Sequence, residues 1–187
     1  NGAFTVAALG DDRYSVISVV GTRAPSASIQ IENLARAMPS SDGRFILSSS
    51  GSSAQLWDAR TGNPLGSGMA HDDLLSSLDF ANDGSMIATG SRDGVVRLWR
   101  RPHEPHAPIR LPHTDEVWTA RYSPDGHAVV TTSWDQTARV WDALSGEPLI
   151  EPLQHPARVA GAAFSPDGLT IATACWDGSI RLWNSTT

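Results

Sequence analysis

Three sets of side chains in this 187-residue sequence repeat a histidine, a hydroxyl, an aspartate and a tryptophan at identical spacings. The sets are His71, Thr89, Asp93 and Trp99; His113, Thr131, Asp135 and Trp141; and His155, Thr173, Asp177 and Trp183. A hydroxyl, a histidine and an aspartate are the residue types of a serine-hydrolase triad, in which the histidine is the general base. A catalytic site has no reason to occur three times at equal spacing. Side chains that hold each repeat together must occur in every repeat. We therefore expect a structural role for these side chains and no catalytic residues in the chain.

The repetition extends along most of the chain. Trp57, Trp99, Trp141 and Trp183 are each separated by 42 residues, and turn glycines recur every 41 or 42 residues. A repeat of about 40–45 residues is typical of a β-propeller, in which each repeat forms one small sheet that is stable only when packed against its neighbours.

Residues 113–154 show how one repeat is expected to fold. Three strands are predicted from short apolar or β-branched runs that turn sequences separate. These runs are Val117–Tyr122, Ala128–Thr132 and Thr137–Trp141. Pro148–Leu153 is predicted as an outer strand, because proline is tolerated where a backbone amide need not be paired. The sequence thus predicts an all-β fold, a β-propeller of four-stranded antiparallel blades.

The repeated motifs resemble those of the WD-repeat (WD40) family. The similar segments are SPDG at 123–126 and 165–168, LWD at 56–58, VWD at 140–142 and SRDGVVRLW at 91–99. The resemblance covers nearly the whole chain. It implies that each set of four side chains forms a buried hydrogen-bonded chain from aspartate to histidine, threonine and the tryptophan indole. We name each such set a clasp.

The repeats define predicted blade boundaries. Whole blades are expected at 29–70, 71–112 and 113–154, a blade without its outer strand at 155–187, and an incomplete, degenerate blade at 1–28. The blade at 29–70 lacks a clasp, since Gln30 stands at the histidine position and Gly51 at the aspartate position. Three whole blades and two partial ones predict part of a larger ring. A closed four-bladed ring and a ring built from several chains are the alternatives.

Composition limits the partners. The formal net charge is −6, and all 14 basic residues are arginines. An acidic chain without lysine clusters is poorly suited to bind a nucleic-acid backbone, and no apolar run is long enough for a membrane span. The single cysteine, Cys175, predicts no disulfide within the chain. We expect a cytoplasmic protein that binds neither nucleic acid nor membrane.

A histidine-rich segment is a candidate metal site. His103, Glu104 and His106, with His113 nearby, are suitable ligand types. Their spacing matches no zinc motif, and flanking prolines predict a solvent-exposed loop. We expect no metal and no cofactor.

Six further residues are predicted to line one rim of the propeller and contact a partner: Arg92, Trp134, Trp176, Glu116, Trp118 and Arg158. The first three each precede a turn aspartate, and the other three begin innermost strands. In WD-repeat propellers these positions open onto a face commonly used for partners. Tryptophan and arginine are enriched in interface hot spots. The structural alternative is that each loop tryptophan packs against its own blade.

A row of arginines forms a further candidate contact. Arg97, Arg139 and Arg181 each lie two residues before a clasp tryptophan and share its face of the strand. They are expected either to cover neighbouring apolar surface with their stems or to contact an acidic partner.

Taken together, these patterns predict a non-catalytic scaffold that binds a peptide or protein domain on one propeller face. The first alternative is a propeller that binds a glycan or another small ligand, with tryptophans stacked on sugar rings. The second is a structural segment that associates with other chains through open blade edges, since unpaired edges favour pairing.

Overall fold

A computed structural model describes residues 8–9, 14–20, 25–101 and 107–186. Within these residues the chain forms eighteen strands. They are β1 (Ala8–Leu9), β2 (Tyr14–Val20), β3 (Pro25–Glu32), β4 (Leu34–Pro39), β5 (Phe45–Ser50), β6 (Ser53–Asp58), β7 (Pro64–Ala70), β8 (Leu75–Phe80), β9 (Met86–Ser91), β10 (Val95–Arg100), β11 (Ile109–Pro112), β12 (Val117–Tyr122), β13 (Ala128–Ser133), β14 (Thr137–Asp142), β15 (Leu153–Gln154), β16 (Val159–Phe164), β17 (Thr170–Cys175) and β18 (Ile180–Asn184).

The strands form five antiparallel sheets in chain order. The first sheet is β1-β2-β3, the second β4-β5-β6-β7, the third β8-β9-β10-β11, the fourth β12-β13-β14-β15 and the fifth β16-β17-β18. Within each sheet, consecutive strands pair with one another, and short turns suffice for such connections. The predicted all-β fold with four-stranded antiparallel blades is confirmed, and the arrangement is that of a partial propeller.

Apolar side chains on both faces of the inner sheets form the core between neighbouring blades. One cluster joins the third and fourth sheets through residues that include Leu98, Val117 and Val129, which are at most 1% exposed. A second cluster joins the second and third sheets through Leu47 and Ile87. Because alternate residues of a strand point to opposite faces, each inner sheet contributes to two such layers.

The fifth sheet leaves one apolar face uncovered. Ile180 and Leu182 on β18 are 75% and 71% exposed. The corresponding residues of the third sheet, Val96 and Leu98, are 0% and 1% exposed because the fourth sheet packs against that blade. Apolar residues at these two positions of the repeat are therefore buried where a neighbouring blade is present.

Two boundaries differ from the sequence-based expectation. The outer strand predicted over Pro148–Leu153 is wrong: β15 begins only at Leu153, and Pro148 contributes a single bridge to Trp141. Prolines at both ends of this segment remove amides that a longer ladder would need. In addition, β3 continues to Glu32, so the predicted blade boundary at residue 29 falls inside a strand.

No helix in the described part of the chain is long and apolar enough to cross a membrane.

Candidate partner-binding surface

The clasp of the fourth sheet forms one continuous hydrogen-bonded chain. The indole of Trp141 donates to Thr131 Oγ1 at 2.8 Å, and Thr131 Oγ1 lies 2.7 Å from His113 Nε2. His113 Nδ1 lies 2.8 Å from Asp135 Oδ2. One proton arrangement satisfies every group: the hydroxyl donates to Nε2, and Nδ1 donates to the carboxylate. The clasp thereby ties the turn at Asp135 to strands β13 and β14.

The clasp of the third sheet differs at the histidine–aspartate step. His71 Nε2 is 2.6 Å from Thr89 Oγ1, as the resemblance implies, but His71 Nδ1 is 3.4 Å from Asp93 Oδ2. Arg97 donates to Asp93 Oδ2 at 2.6 Å and also contacts His71 Nδ1. A buried arginine therefore makes the hydrogen bond that the family resemblance implies for the histidine.

In the fifth sheet the expected bond from His155 to Asp177 is not formed. His155 Nδ1 donates to the carbonyl of Leu153 at 2.9 Å, while His155 Nε2 keeps its contact with Thr173 at 2.8 Å. Arg181 pairs with Asp177 at 2.8 Å instead. The carboxylate thus has a cationic partner, and the histidine is free to bond to the backbone.

The arginine row consequently has a role that neither sequence-based alternative included. Arg97 and Arg181 pair with the turn aspartate four residues earlier, and Arg139 Nη2 lies 3.5 Å from Asp135 Oδ2. Arg97 is 5% exposed, and a charge buried to this extent is tolerated only when it is paired and hydrogen-bonded. Each of these arginines therefore has an acidic partner within its own blade.

The clasp histidines are neutral and inaccessible as bases. Burial, with the nearby Arg97 charge, lowers the pKa of His71 to about 4, and burial also lowers the pKa of His113 and of His155. Burial opposes ionisation of Asp135, but hydrogen bonds from His113 and Thr137 hold its pKa below the usual value. The clasp side chains therefore have the geometry of hydrogen bonds that stabilise the fold.

Four of the six predicted rim residues meet in one cluster. The rings of Trp118 and Trp134 stack with centroids 5.8 Å apart and planes inclined by 21°. Trp176 lies 6.1 Å from Trp134 at 60°. The guanidinium of Arg158 lies 3.8 Å above the Trp134 ring and 5.7 Å from that of Trp176. We name this cluster the aromatic rim.

Backbone hydrogen bonds hold the rim residues in place. The amide of Trp134 donates to the carbonyl of Glu116, and the amide of Trp176 donates to the carbonyl of Arg158, both at 2.9 Å. Each bond joins a turn between the middle strands to the start of the innermost strand of the same blade. Trp176 remains 57% exposed, whereas Trp134 is partly buried beneath its neighbours. The Trp134 indole nitrogen is buried without a hydrogen-bond partner among the described residues.

The remaining two rim residues lie beside the cluster. Arg92 Nε is 3.7 Å from Glu116 Oε2, and both side chains are partly exposed. Arg92 and Trp118 together border a pocket that also includes Arg36 of the second sheet. The sequence gives no sign of a role for Arg36, because the second sheet has neither the histidine nor the aspartate of a clasp.

The histidine-rich segment with His103, Glu104 and His106 lies outside the described residues. Among the residues that are described, no group of three or more histidine, cysteine, aspartate or glutamate side chains is arranged to hold a metal ion.

The fold and the clasps define a protein built from propeller-type repeats. The family model described as WD domain, G-beta repeat, matches three segments of the chain, at residues 62–100, 108–142 and 146–184. Together these segments cover more than half of the chain. The chain belongs to the WD-repeat family.

Individual relatives match over shorter stretches. Guanine nucleotide-binding protein subunit beta of Schizosaccharomyces pombe is 35% identical over 60 residues, which is 32% of this chain and 20% of the relative. Human coronin-7 is 35% identical over 69 residues, 37% of this chain and 7% of the relative. Human WD repeat-containing protein 18 is 33% identical over 81 residues, 43% of this chain and 19% of the relative. The chain thus spans a fifth or less of the length of these proteins.

Proposed function

We propose that this chain is a non-catalytic interaction scaffold that binds a peptide or a protein domain through the aromatic rim. The observation that carries the proposal is the packing of Trp118, Trp134 and Trp176 into one surface that Arg158 bridges. These residues belong to two adjacent blades, so the surface exists only in the assembled propeller.

The rim has the physical properties of a binding hot spot. Tryptophan and arginine contribute most per residue at protein interfaces, and stacked rings lose little conformational entropy on binding. The backbone bonds at Trp134 and Trp176 fix the turns that carry the rings. A partner would therefore meet a largely preformed surface, which reduces the cost of association.

The state of the clasps supports a function without catalysis. The three histidines are buried, and each is bonded through Nε2 to a threonine. A general base must reach the proton that it removes, directly or through one water molecule. Side chains held in this way serve the fold.

The ring contacts favour a peptide over a glycan. Stacking on a sugar requires a free ring face. Arg158 lies over the Trp134 ring, and Trp118 stacks against it, so Trp176 offers the largest free surface. A peptide can place polar groups against the Arg158 guanidinium and apolar groups against the partly covered rings. A row of sugars would need several free ring faces.

The test is a selection of random 12-mer peptides displayed on phage against immobilised wild-type protein, with a glycan array in parallel. Trp134→Ala and Trp176→Ala remove rim rings, and Leu149→Ala removes an exposed apolar side chain elsewhere. The proposal predicts peptides that bind wild type and Leu149→Ala but not the two rim variants. Peptides that bind all four proteins equally, or binding to glycans alone, would contradict it.

A further inference from the structure

A pocket of about 220 Å³ extends the aromatic rim towards the second sheet. Leu74, Leu75 and Trp118 form its apolar wall, and Arg36 and Arg92 border it with guanidinium groups. Leu74 is 46% exposed, a large fraction for a leucine in a chain with a packed core. The pocket therefore combines accessible apolar surface with two cationic groups.

The pocket exists because one turn of the second sheet is short. Ser50 pairs with Ser53, so only Gly51 and Ser52 connect β5 to β6. The corresponding turns of the next three sheets each present a large residue, namely Arg92, Trp134 and Trp176. Gly51 has no side chain, and a Cβ built there would meet nothing within 4 Å. The missing side chain leaves open space at this point of the rim.

The charges around the pocket are unbalanced. Among the residues that the structure describes, no carboxylate lines it, although the chain as a whole carries a net charge of −6. Arg36 is exposed and forms no ion pair with any carboxylate in the described part of the chain. The acidic contact of Arg92 within the described segments is the 3.7 Å approach to Glu116. Two guanidinium groups are thus available to an anionic ligand beside an apolar wall.

We propose that this pocket receives one apolar side chain of a linear peptide whose neighbouring aspartate or glutamate side chains pair with Arg36 and Arg92. The pocket is smaller than the range of about 300–1,000 Å³ usual for whole ligands, and it suits a single side chain such as leucine or phenylalanine. Guanidinium groups bind carboxylates through paired hydrogen bonds. The inference rests on the proposed function and names its partner as an acidic peptide with an apolar anchor.

The experiment examines the peptides that the 12-mer phage selection enriches, resynthesised with a fluorescent label and titrated by fluorescence anisotropy. We expect a leucine, isoleucine or phenylalanine within two positions of an acidic residue. Replacing that anchor by serine should weaken binding about tenfold or more, since the burial of one large apolar side chain is lost. Replacing the acids by their amides should weaken binding several-fold, and added salt should have the same effect.

Matched variants of the protein separate this inference from the proposed function. Arg36→Gln should weaken binding several-fold with an unchanged melting temperature, because Arg36 is exposed. Arg60→Gln is the control, since Arg60 is also exposed but lies in the turn after β6, at the other end of the strands of the same sheet. Peptides that require Trp134 and Trp176, yet are not acidic and do not respond to Arg36→Gln, would overturn the inference alone. A selection without any peptide that depends on the rim would overturn both.

Discussion

His71 Nδ1 and Asp93 Oδ2 are 3.4 Å apart, whereas the equivalent atoms of His113 and Asp135 are 2.8 Å apart. Arg97 accounts for the difference, because its guanidinium donates to the aspartate and contacts the histidine. The hydrogen bonds assign opposite tautomers to the two histidines. In His71, Nε2 donates to Thr89, whose hydroxyl lies 3.4 Å from the carbonyl of Arg97; in His113, Nδ1 is the donor. Two proton arrangements therefore support the same repeat.

Removing Asp135 should destabilise the fold. Asp135→Ala leaves the Nδ1 donor of His113 without an acceptor, and one orphaned buried polar group costs about 1–3 kcal/mol. Urea unfolding should therefore show a lower midpoint for Asp135→Ala than for wild type. Glu147→Ala, an exposed acid in the same blade, is the control and should unfold with the wild-type midpoint. Equal midpoints for both variants would contradict a structural role for the clasp.

Stability should fall on acidification before the carboxylates protonate. The pKa of His71 is about 4 in the folded chain against an ordinary value of 6.5, so the unfolded chain binds the proton first. The contribution of neutral His71 is fully present above 6.5 and is lost as the pH falls towards 4. Urea midpoints measured across this window should decline with wild type and decline less with His71→Gln. His127→Gln, a change at an exposed histidine, should keep the wild-type slope.

The two ion pairs of the arginine row should differ in their effect on stability. Arg97 and Asp93 have side chains only 6% and 8% exposed, whereas those of Arg181 and Asp177 are 31% and 24% exposed. Loss of one member of a buried pair costs several kcal/mol, whereas solvent screens an exposed pair and its loss costs little. Arg97→Met should therefore lower the melting temperature much more than Arg181→Met. The reverse order would show that Arg97 is not required by the third sheet.

The uncovered face of the fifth sheet should cause self-association of this 187-residue chain. Ile180 and Leu182 occupy positions that neighbouring sheets bury elsewhere, and a second copy can cover them. Light scattering should give a mass above that of the monomer, and Leu182→Glu should reduce it. Leu144→Glu alters an exposed leucine in a turn of the fourth sheet and serves as the control. A monomer at all concentrations would contradict this expectation.

Regular features of the fold could be predicted because they depend on local patterns. The spacing of the tryptophans and the turn sequences were sufficient for the three inner strands of the fourth sheet, but not for its short outer strand. The partners of Asp93 and Asp177 could not be predicted, because the same residue types occur in all three clasps. Whether an arginine or a histidine bonds to the carboxylate depends on burial and side-chain geometry, and Arg97 is far less exposed than Arg181.

The candidate surface was predictable in part. The positions of Trp134 and Trp176 before the turn aspartates placed both residues at one rim, and the structure brings their rings within 6.1 Å. Their unequal exposure was not predictable from the repeat. The pocket beside Arg36 was missed because it arises from a residue that is absent from a turn, and a residue pattern does not reveal such a space.

The unequal exposure of Trp134 and Trp176 predicts different effects of their variants on stability. Trp134 is partly buried between Trp118 and Arg158, so Trp134→Ala should lower the melting temperature moderately as well as weaken binding. Trp176 is 57% exposed and belongs to no clasp, so Trp176→Ala should leave the melting temperature nearly unchanged. Thermal melts followed by circular dichroism would measure both effects. A larger loss of stability with Trp176→Ala would contradict this assignment.

The affinity of Trp176→Ala for a selected peptide, measured by isothermal titration calorimetry, tests the central claim most directly. If the aromatic rim is the partner-binding surface, loss of this ring should weaken binding by about 2 kcal/mol or more, roughly thirtyfold, without a change in melting temperature. Leu169→Ala removes a 62% exposed side chain from the turn before β17, and this variant should bind like wild type. Unchanged affinity in Trp176→Ala would show that the binding surface lies elsewhere on the propeller.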